Sequence, residues 1–206
     1  MDVANNTYKL VSHTAAAGQG VAGATDSSFV KTVDNFVYFT TTNSVVLGAS
    51  SDGDTSKTDL WRYDLSSGAT TLISHATGAT SAAMNGSYVL NSLLTTSDQR
   101  YVAFTVDMPS GTHDGLTVSI GGSHLFVMDT QSGGVSLVNH NSNSLTTTGY
   151  QAWAGATAKG FSADASTLVL DSSYVGFFGG FTGSGQYDNG VMAYDIASGS
   201  LRLLSH

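Results

Sequence analysis

Short runs of alternating apolar and polar residues follow one another along the chain. Examples are FVYFTT at 36–41, YVAFTVD at 101–107 and TLVLDS at 167–172. Alternation over about four to eight residues is typical of β-strands with one buried face, whereas helices repeat their apolar positions every three or four residues. Gly, Asp, Ser and Asn separate the runs, as expected of turns. The pattern therefore predicts an all-β fold.

One phrase occurs three times: an apolar strand ending in Asp, a short polar segment with Gly, and a second apolar strand. The copies are LWRYDLSSGATTLISH at 60–75, LFVMDTQSGGVSLVNH at 125–140 and VMAYDIASGSLRLLSH at 191–206. In each copy a glycine, Gly68, Gly133 or Gly199, stands four positions after the Asp. We interpret each phrase as a β-hairpin in which the Asp carboxylate caps the turn and Gly adopts a left-handed φ.

A second hairpin precedes each of these phrases, with Asp34, Asp98 or Asp164 in its turn. The strand before that turn is SFVKTV, SYVLNSLLT or, less distinctly, YQAWAGATA. Each repeat thus has four antiparallel strands, a to d, and a sheet with apolar residues on both faces must stack on its neighbours. We predict a single β-propeller domain spanning 1–206. Its repeat units cover approximately 14–75, 76–140 and 141–206.

Residues 8–13, YKLVSH, repeat the end of the hairpin phrase without the strands that should precede it. The prediction is therefore three four-stranded antiparallel blades plus one extra N-terminal outer strand. Propellers close with about four to eight blades. We expect a partial ring, completed by another copy of this chain or by the remainder of a larger propeller in a longer parent protein.

These phrases resemble the WD40-like, TolB-type propeller repeat. In that family a turn of the type S-x-D-G-R precedes strand b, and a hairpin of the type D-hydrophobic-hydrophobic-x-D-x-x-[ST]-G joins strands c and d. The matching residues are Ser97, Asp98 and Arg100 in the first motif, and Asp59, Leu60, Trp61, Tyr63, Asp64, Ser67 and Gly68 in the second. Asn35, Gln99 and Ala165 stand where the family usually has the turn Gly. The resemblance implies the fold of blades found in large bacterial secreted or surface proteins and leaves the function open.

Charge and composition narrow the range of partners. Fifteen acidic and seven basic residues give a net charge of −8, and the cations are scattered singly. Nucleic acid and anionic membranes would be repelled. The absence of cysteine excludes disulfides, thiolate metal sites and thiol catalysis. No apolar run is long enough to span a membrane, and no signal peptide is visible in this chain. The family resemblance implies an extracellular or bacterial cell-surface location, and an export signal would then lie elsewhere.

Loops of an antiparallel sheet alternate between its two ends, so the long b–c and d–a connections share one side of each blade. Long loops on a rigid scaffold commonly carry function, which makes this the expected ligand side. Candidate ligand-binding residues there are Tyr174, Phe177, Phe178, Phe181 and Tyr187 of the third b–c loop, and His113 and Asp114 of the second. The aromatic side chains could stack on sugar rings or form a protein hot spot. Packing over the open flank of the last blade is the alternative.

Asp52, Asp54 and Asp59 lie close together in the first b–c loop, and their oxygens suit Ca²⁺. The segment departs from an EF-hand because Lys57 occupies the required Gly position. Solvated turn acids are therefore the alternative to a calcium site, and we expect no other cofactor.

Histidines also recur, as the last residue of each strand-d phrase: His13, His75, His140 and His206. Outer strands of successive blades are too far apart to share one metal ion, so we interpret these histidines as a repeated cap or contact within the fold.

No nucleophile elbow, phosphate-binding loop or facing pair of carboxylates is recognisable. We therefore expect a non-catalytic scaffold or binding module that binds a protein or glycan and self-assembles. Two alternatives stay open: a hydrolase or lyase with an active site in the central channel, and a structural polymer subunit.

Overall fold

The computed structural model describes residues 11, 27–42, 57–78, 82–113, 115–141, 144–148, 156–172 and 190–205. These residues form strands and turns, and no helix capable of crossing a membrane occurs among them. The strands in chain order are β1 (Ser28–Val33), β2 (Phe36–Thr41), β3 (Asp59–Asp64), β4 (Thr70–Leu72), β5 (Ser87–Tyr88), β6 (Leu94–Thr95), β7 (Tyr101–Met108), β8 (Gly111–His113), β9 (Leu116–Val118), β10 (Gly122–Asp129), β11 (Gly134–Leu137), β12 (His140–Asn141), β13 (Ser144–Thr148), β14 (Ala156–Phe161), β15 (Thr167–Ser172), β16 (Gly190–Asp195) and β17 (Leu201–Leu203).

The chain divides into two compact units, 1–75 with 81–84 and 76–80 with 85–206. The first unit contains the first blade, an antiparallel sheet in the order β1-β2-β3-β4. Its core cluster includes Phe39, Trp61 and Tyr63, which are at most 4% exposed. Val11 packs against the same cluster, while the rest of the predicted extra strand at 8–13 lies outside the described residues.

The second blade has the order β11-β10-β7-β5, and β6 also pairs with β7. Strand a, predicted as one strand over SYVLNSLLT, is therefore two short pieces. Asn91 separates them with a φ of 64°, and the neighbouring Leu90 side chain is 62% exposed. A left-handed residue cannot continue a β-strand, so the chain leaves the sheet edge at this point and returns at β6.

The third blade is the antiparallel sheet β14-β15-β16-β17, and it stacks on the second. Buried side chains from both sheets form one cluster, with Leu125 and Val127 from the second blade facing Leu168, Leu170 and Met192 from the third. Full burial of such a side chain stabilises the fold by about 1.5–3 kcal/mol. The predicted stacking of neighbouring sheets is thus observed for this pair of blades.

The c–d hairpins form as the repeated Asp and Gly predict. Gly68, Gly133 and Gly199 have φ of 76°, 72° and 70°, a region that side chains with a Cβ rarely adopt. The N–H of each glycine donates to the carbonyl of the repeated Asp four positions earlier, at 2.8, 2.8 and 2.9 Å. The carboxylates of those aspartates accept further N–H groups of the turn, so the cap and the glycine act together.

The a–b turns differ between blades. Gln99 and Ala165 adopt left-handed φ of 59° in the second and third blades, as expected for positions that usually hold Gly. In the first blade Val33 pairs directly with Phe36, and Asp34, not Asn35, has the positive φ of 51°. The longer turns depend on a Thr or Ser hydroxyl that donates to the turn Asp at 2.6 Å, and Val33 offers no hydroxyl at that place.

Candidate binding surface

Segments of two long connections in the second unit form a further sheet, which we call the loop sheet, in the order β12-β13-β9-β8. β8 and β9 form a hairpin within the second b–c loop, whereas β12 and β13 lie in the connection between the second and third blades. A parallel pairing of Thr147 with Thr117 joins the two segments. The sequence placed both connections on one side of the blades but predicted no strands in them.

One face of the loop sheet is buried and the rest is open. Leu116, Val118 and Thr148 are at most 2% exposed. The open part presents the hydroxyls of Thr112 and Thr117 beside other exposed residues of the sheet. Because its pairing and its buried face hold the hairpin in place, this surface exists before any ligand binds.

Hydrogen bonds between the two segments strengthen the loop sheet. The Ser119 N–H donates to Thr148 Oγ1 at 3.0 Å, and the Ser119 hydroxyl donates to the Thr148 carbonyl at 3.3 Å. Leu145, at 57% exposed, is the large apolar side chain beside these contacts. The surface therefore combines hydroxyl groups with one accessible aliphatic side chain.

His113 is the one predicted ligand-binding residue within the described part of the chain. Its Nδ1 accepts from Asn85 Nδ2 at 2.8 Å, and its Nε2 donates to the Ser110 carbonyl at 3.2 Å. These partners use both ring nitrogens of a neutral imidazole. His113 thus anchors the hairpin of the loop sheet, and a direct role in ligand binding stays a prediction. Asp114 and the five aromatic residues Tyr174, Phe177, Phe178, Phe181 and Tyr187 lie outside the described residues.

Of the three predicted calcium ligands, the structure describes Asp59. It pairs with Thr41 inside the first blade, and its side chain is buried at 2% exposed. Asp52 and Asp54 lie outside the described residues. No cluster of three or more His, Cys, Asp or Glu side chains that could hold a metal ion occurs in the described ranges. The calcium site stays a prediction.

A repeated contact at the end of strand d escaped the sequence analysis. Side-chain oxygens there accept the N–H of a strand-c residue at 2.9 Å in all three blades. The acceptors are Ser74, Asn139 and Ser205, and the donors are Leu60, Leu125 and Val191. The acceptor immediately precedes the repeated histidine, so the same 65- and 66-residue spacing would have found it.

His140 makes a contact between blades. Its Nε2 lies 2.8 Å from the Gly199 carbonyl in the c–d turn of the third blade, and its ring meets the Tyr194 ring edge-on at 6.4 Å. His75 is 1% exposed and forms a β-bridge with Ala83. These contacts support the interpretation of the repeated histidines as part of the fold. His13 and His206 lie outside the described residues.

A groove runs along the seam between the second and third blades. Its first part, about 330 Å³, is lined by Arg100 and Asp129 from the second blade and by Ala197 from the third. Its second part, about 270 Å³, extends to Leu145 and Thr146 of the loop sheet. Four residues line both parts: Ser136, Tyr194, Ile196 and Ala197.

An ion pair lies at one end of this groove. Arg100 Nη2 is 3.2 Å from Asp129 Oδ2, and Nε is 3.5 Å from Oδ1. The guanidinium also lies over the Tyr101 ring, 4.9 Å from its centre. Partial burial raises the pKa of the Asp129 carboxyl, but hydrogen bonds from Arg100 and from the Gln131 N–H outweigh burial and lower the pKa below its usual value. Asp129 is therefore ionised at neutral pH and paired.

These sheets and turns define an all-β protein built of four-stranded antiparallel blades, the architecture of a β-propeller. The predicted all-β fold and the predicted four-stranded antiparallel blades are confirmed.

No family model and no curated protein matches the sequence. Similar folds were found among solved structures. The chain is similar to TolB from Acinetobacter baumannii, with 15% identity and a TM-score of 0.41 over 84% of this chain and 30% of TolB. It is similar to the tricorn protease, with 12% identity and a TM-score of 0.41 over 86% of this chain and 22% of the protease. It is also similar to a prolyl endopeptidase, with 12% identity and a TM-score of 0.47 over 87% of this chain and 22% of the endopeptidase. The chain spans less than a third of each, and its fold assignment depends on the sheets themselves.

Proposed function

We propose that this chain is a non-catalytic β-propeller module of an extracellular or bacterial cell-surface protein. It binds a protein or glycan on its loop side and assembles with further blades through the open face of its third blade. The observation that carries the proposal is an apolar face of the third blade that resembles a blade interface yet is exposed.

The repeat makes this face recognisable. Leu125 and Val138 of the second blade are 0% exposed and belong to the cluster shared with the third blade. Their equivalents in the third blade, Val191 and Leu204, are also apolar but are 41% and 38% exposed. The same backbone hydrogen bond, from the strand-d N–H to the strand-c carbonyl, occurs in both pairs at 2.8 Å, which supports the equivalence. A face of this kind suits another blade, from a second copy or from a longer parent protein.

The loop sheet supports the binding part of the proposal. β8, β9, β12 and β13 contain no Lys, Arg, Asp or Glu, so the surface suits a neutral polar partner. Its hydroxyls can exchange hydrogen bonds with sugar hydroxyls or peptide groups, and the exposed Leu145 adds an apolar contact. Preformed strands lower the entropy cost of binding compared with flexible loops.

A substitution on the loop sheet tests the binding part. Thr117→Lys places a long charged side chain at the centre of the exposed hydroxyls, and we expect it to abolish binding to partners found on glycan arrays or by pull-down. Ser66→Lys, on an exposed c–d turn of the first blade, is the matched control and should bind as the wild type does. Equal binding by Thr117→Lys, or turnover of a polysaccharide or peptide substrate by the wild type, would contradict the proposal.

A further inference from the structure

The groove along the seam between the second and third blades has the dimensions of a ligand site. Ser136, Tyr194, Ile196 and Ala197 line both of its parts, so the cavities of about 330 and 270 Å³ adjoin one another. Sites for small molecules commonly measure roughly 300–1,000 Å³. An elongated ligand of one or two rings would therefore fit along the seam.

The lining chemistry favours a neutral ligand. The charged groups in the lining of the larger part are Arg100 and Asp129, and they neutralise one another. Hydroxyls of Ser132 and Ser136 stand beside them, and Ile196 supplies apolar surface. An anion or a cation would have to compete with the existing pair, whereas a ligand rich in hydroxyls would not.

The ion pair keeps hydrogen-bonding capacity for a ligand. Its distances of 3.2 and 3.5 Å exceed the roughly 2.7–2.9 Å of a tight charge-assisted hydrogen bond. These contacts use two of the about five N–H donors that a guanidinium has. Two neighbouring hydroxyls of a sugar can accept from such a guanidinium while donating to the adjacent carboxylate.

Arg100 is not needed for the turn that it joins. In the third blade the equivalent of Asp129 is Asp195. Its Oδ1 accepts hydrogen bonds from the Ser198 N–H and from the Ser198 hydroxyl, both at 2.7 Å, and so caps the turn. The position equivalent to Arg100 is Ser166 there. The third blade thus builds the same c–d hairpin without an arginine, so turn geometry alone does not account for Arg100.

We propose that this groove binds a neutral saccharide, with Arg100 and Asp129 holding two adjacent hydroxyls and Ile196 contacting the ring. The inference rests on the glycan branch of the proposed function and extends it along the seam: one end of the groove reaches Leu145 and Thr146 of the loop sheet, whereas Arg100 and Asp129 lie at the a–b and c–d turns of the second blade.

Two substitutions test the groove. Ala197→Arg adds an exposed side chain that fills the groove without touching the ion pair, and Arg100→Gln removes the guanidinium. We expect Ala197→Arg to weaken binding at least about tenfold by occupying the ligand's space, and Arg100→Gln to do the same because one lost hydrogen bond to a charged group has an effect of that size. The probe is a panel of neutral mono- and disaccharides in saturation-transfer difference NMR, with Kd measured by calorimetry. Ser66→Arg, at the equivalent turn position of the first blade, is the matched control and should leave Kd unchanged.

Three results would overturn the inference: no panel member gives a signal with the wild type, Ala197→Arg binds as the wild type does, or a phosphorylated sugar binds more tightly than its neutral parent. Thr117→Lys separates the two proposals. Loss of binding in Thr117→Lys together with wild-type binding in Ala197→Arg would refute the groove and retain the loop side as the site.

Discussion

The second and third blades contain the same types of hairpin but differ in how much of the apolar surface of those hairpins is buried. In the second blade β7 and β10 bury side chains on both faces: Phe104 and Phe126 on one face and Ala103 and Leu125 on the other are all 0% exposed. In the third blade Leu168 and Leu170 are fully buried on one face, while Val191 on the other is 41% exposed. The pairing of strands b and c is equally regular in both blades. Hairpin formation is thus local, whereas burial depends on whether a neighbouring sheet is present.

The largest expected effect concerns assembly. Val191→Lys places a charge on the open face of the third blade, and we expect the wild-type oligomer to become a monomer in light-scattering measurements of mass. Leu65→Lys is the matched control, because Leu65 is also 41% exposed but lies in a c–d turn. A monomeric wild type, or an oligomer that survives Val191→Lys, would contradict assembly through this face.

Equivalent positions of the two blades should also differ in stability. Leu125→Ala removes a fully buried side chain from the cluster between blades and should lower the free energy of unfolding by about 2–5 kcal/mol. Val191→Ala, at the equivalent position of the third blade, should change it by less than about 0.5 kcal/mol in dilute, monomeric protein. Urea unfolding measures both. Similar losses would mean that the third blade is covered in solution even as a monomer.

The left-handed turn residues give a smaller contrast with opposite signs. Ala165→Gly relieves a Cβ at a φ of 59° in an exposed turn and should stabilise the chain by about 0.5–1 kcal/mol. Gln99→Gly relieves the same strain but removes a buried side chain whose Nε2 donates to the Thr96 carbonyl at 3.1 Å. We expect Gln99→Gly to give no increase in the midpoint temperature of thermal unfolding. A gain at both positions would show that the Gln99 side chain contributes nothing.

The smallest expected difference is in acid sensitivity, since both blades have the same type of Asp turn. Hydrogen bonds, chiefly from a neighbouring Ser or Thr hydroxyl, hold the pKa of four turn carboxylates below the usual value of Asp: Asp64, Asp98, Asp164 and Asp195. A lowered folded-state pKa stabilises the fold above the unfolded value of about 3.9 and loses that contribution as pH falls through the folded pKa. Denaturant unfolding should therefore show stability falling below about pH 4. Asp164→Asn should reduce the slope of the unfolding free energy against pH. An unchanged slope would mean that the Asp164 carboxylate does not contribute to acid sensitivity.

The turns were predictable because their signals are local. An Asp carboxylate reaches N–H groups two or three residues away, and Gly is recognisable wherever a left-handed φ is needed, so Asp195 and Gly199 were sufficient to predict the third hairpin. The loop sheet was not predictable in the same way. Thr117 and Thr147 pair across thirty residues, and the Thr- and Ser-rich segments around them have no strong apolar alternation.

Amino-acid order alone defined the fold class, the strand repeat and the c–d turns, since each depends on neighbours within one hairpin. Only the tertiary structure decided which apolar faces are covered, how two distant loops join into a sheet, and that Arg100 meets Asp129 at the seam between blades. The physical reason is that burial and long-range pairing depend on which segments meet in space. Residues as similar as Leu125 and Val191 therefore differ in burial although their hairpins are the same.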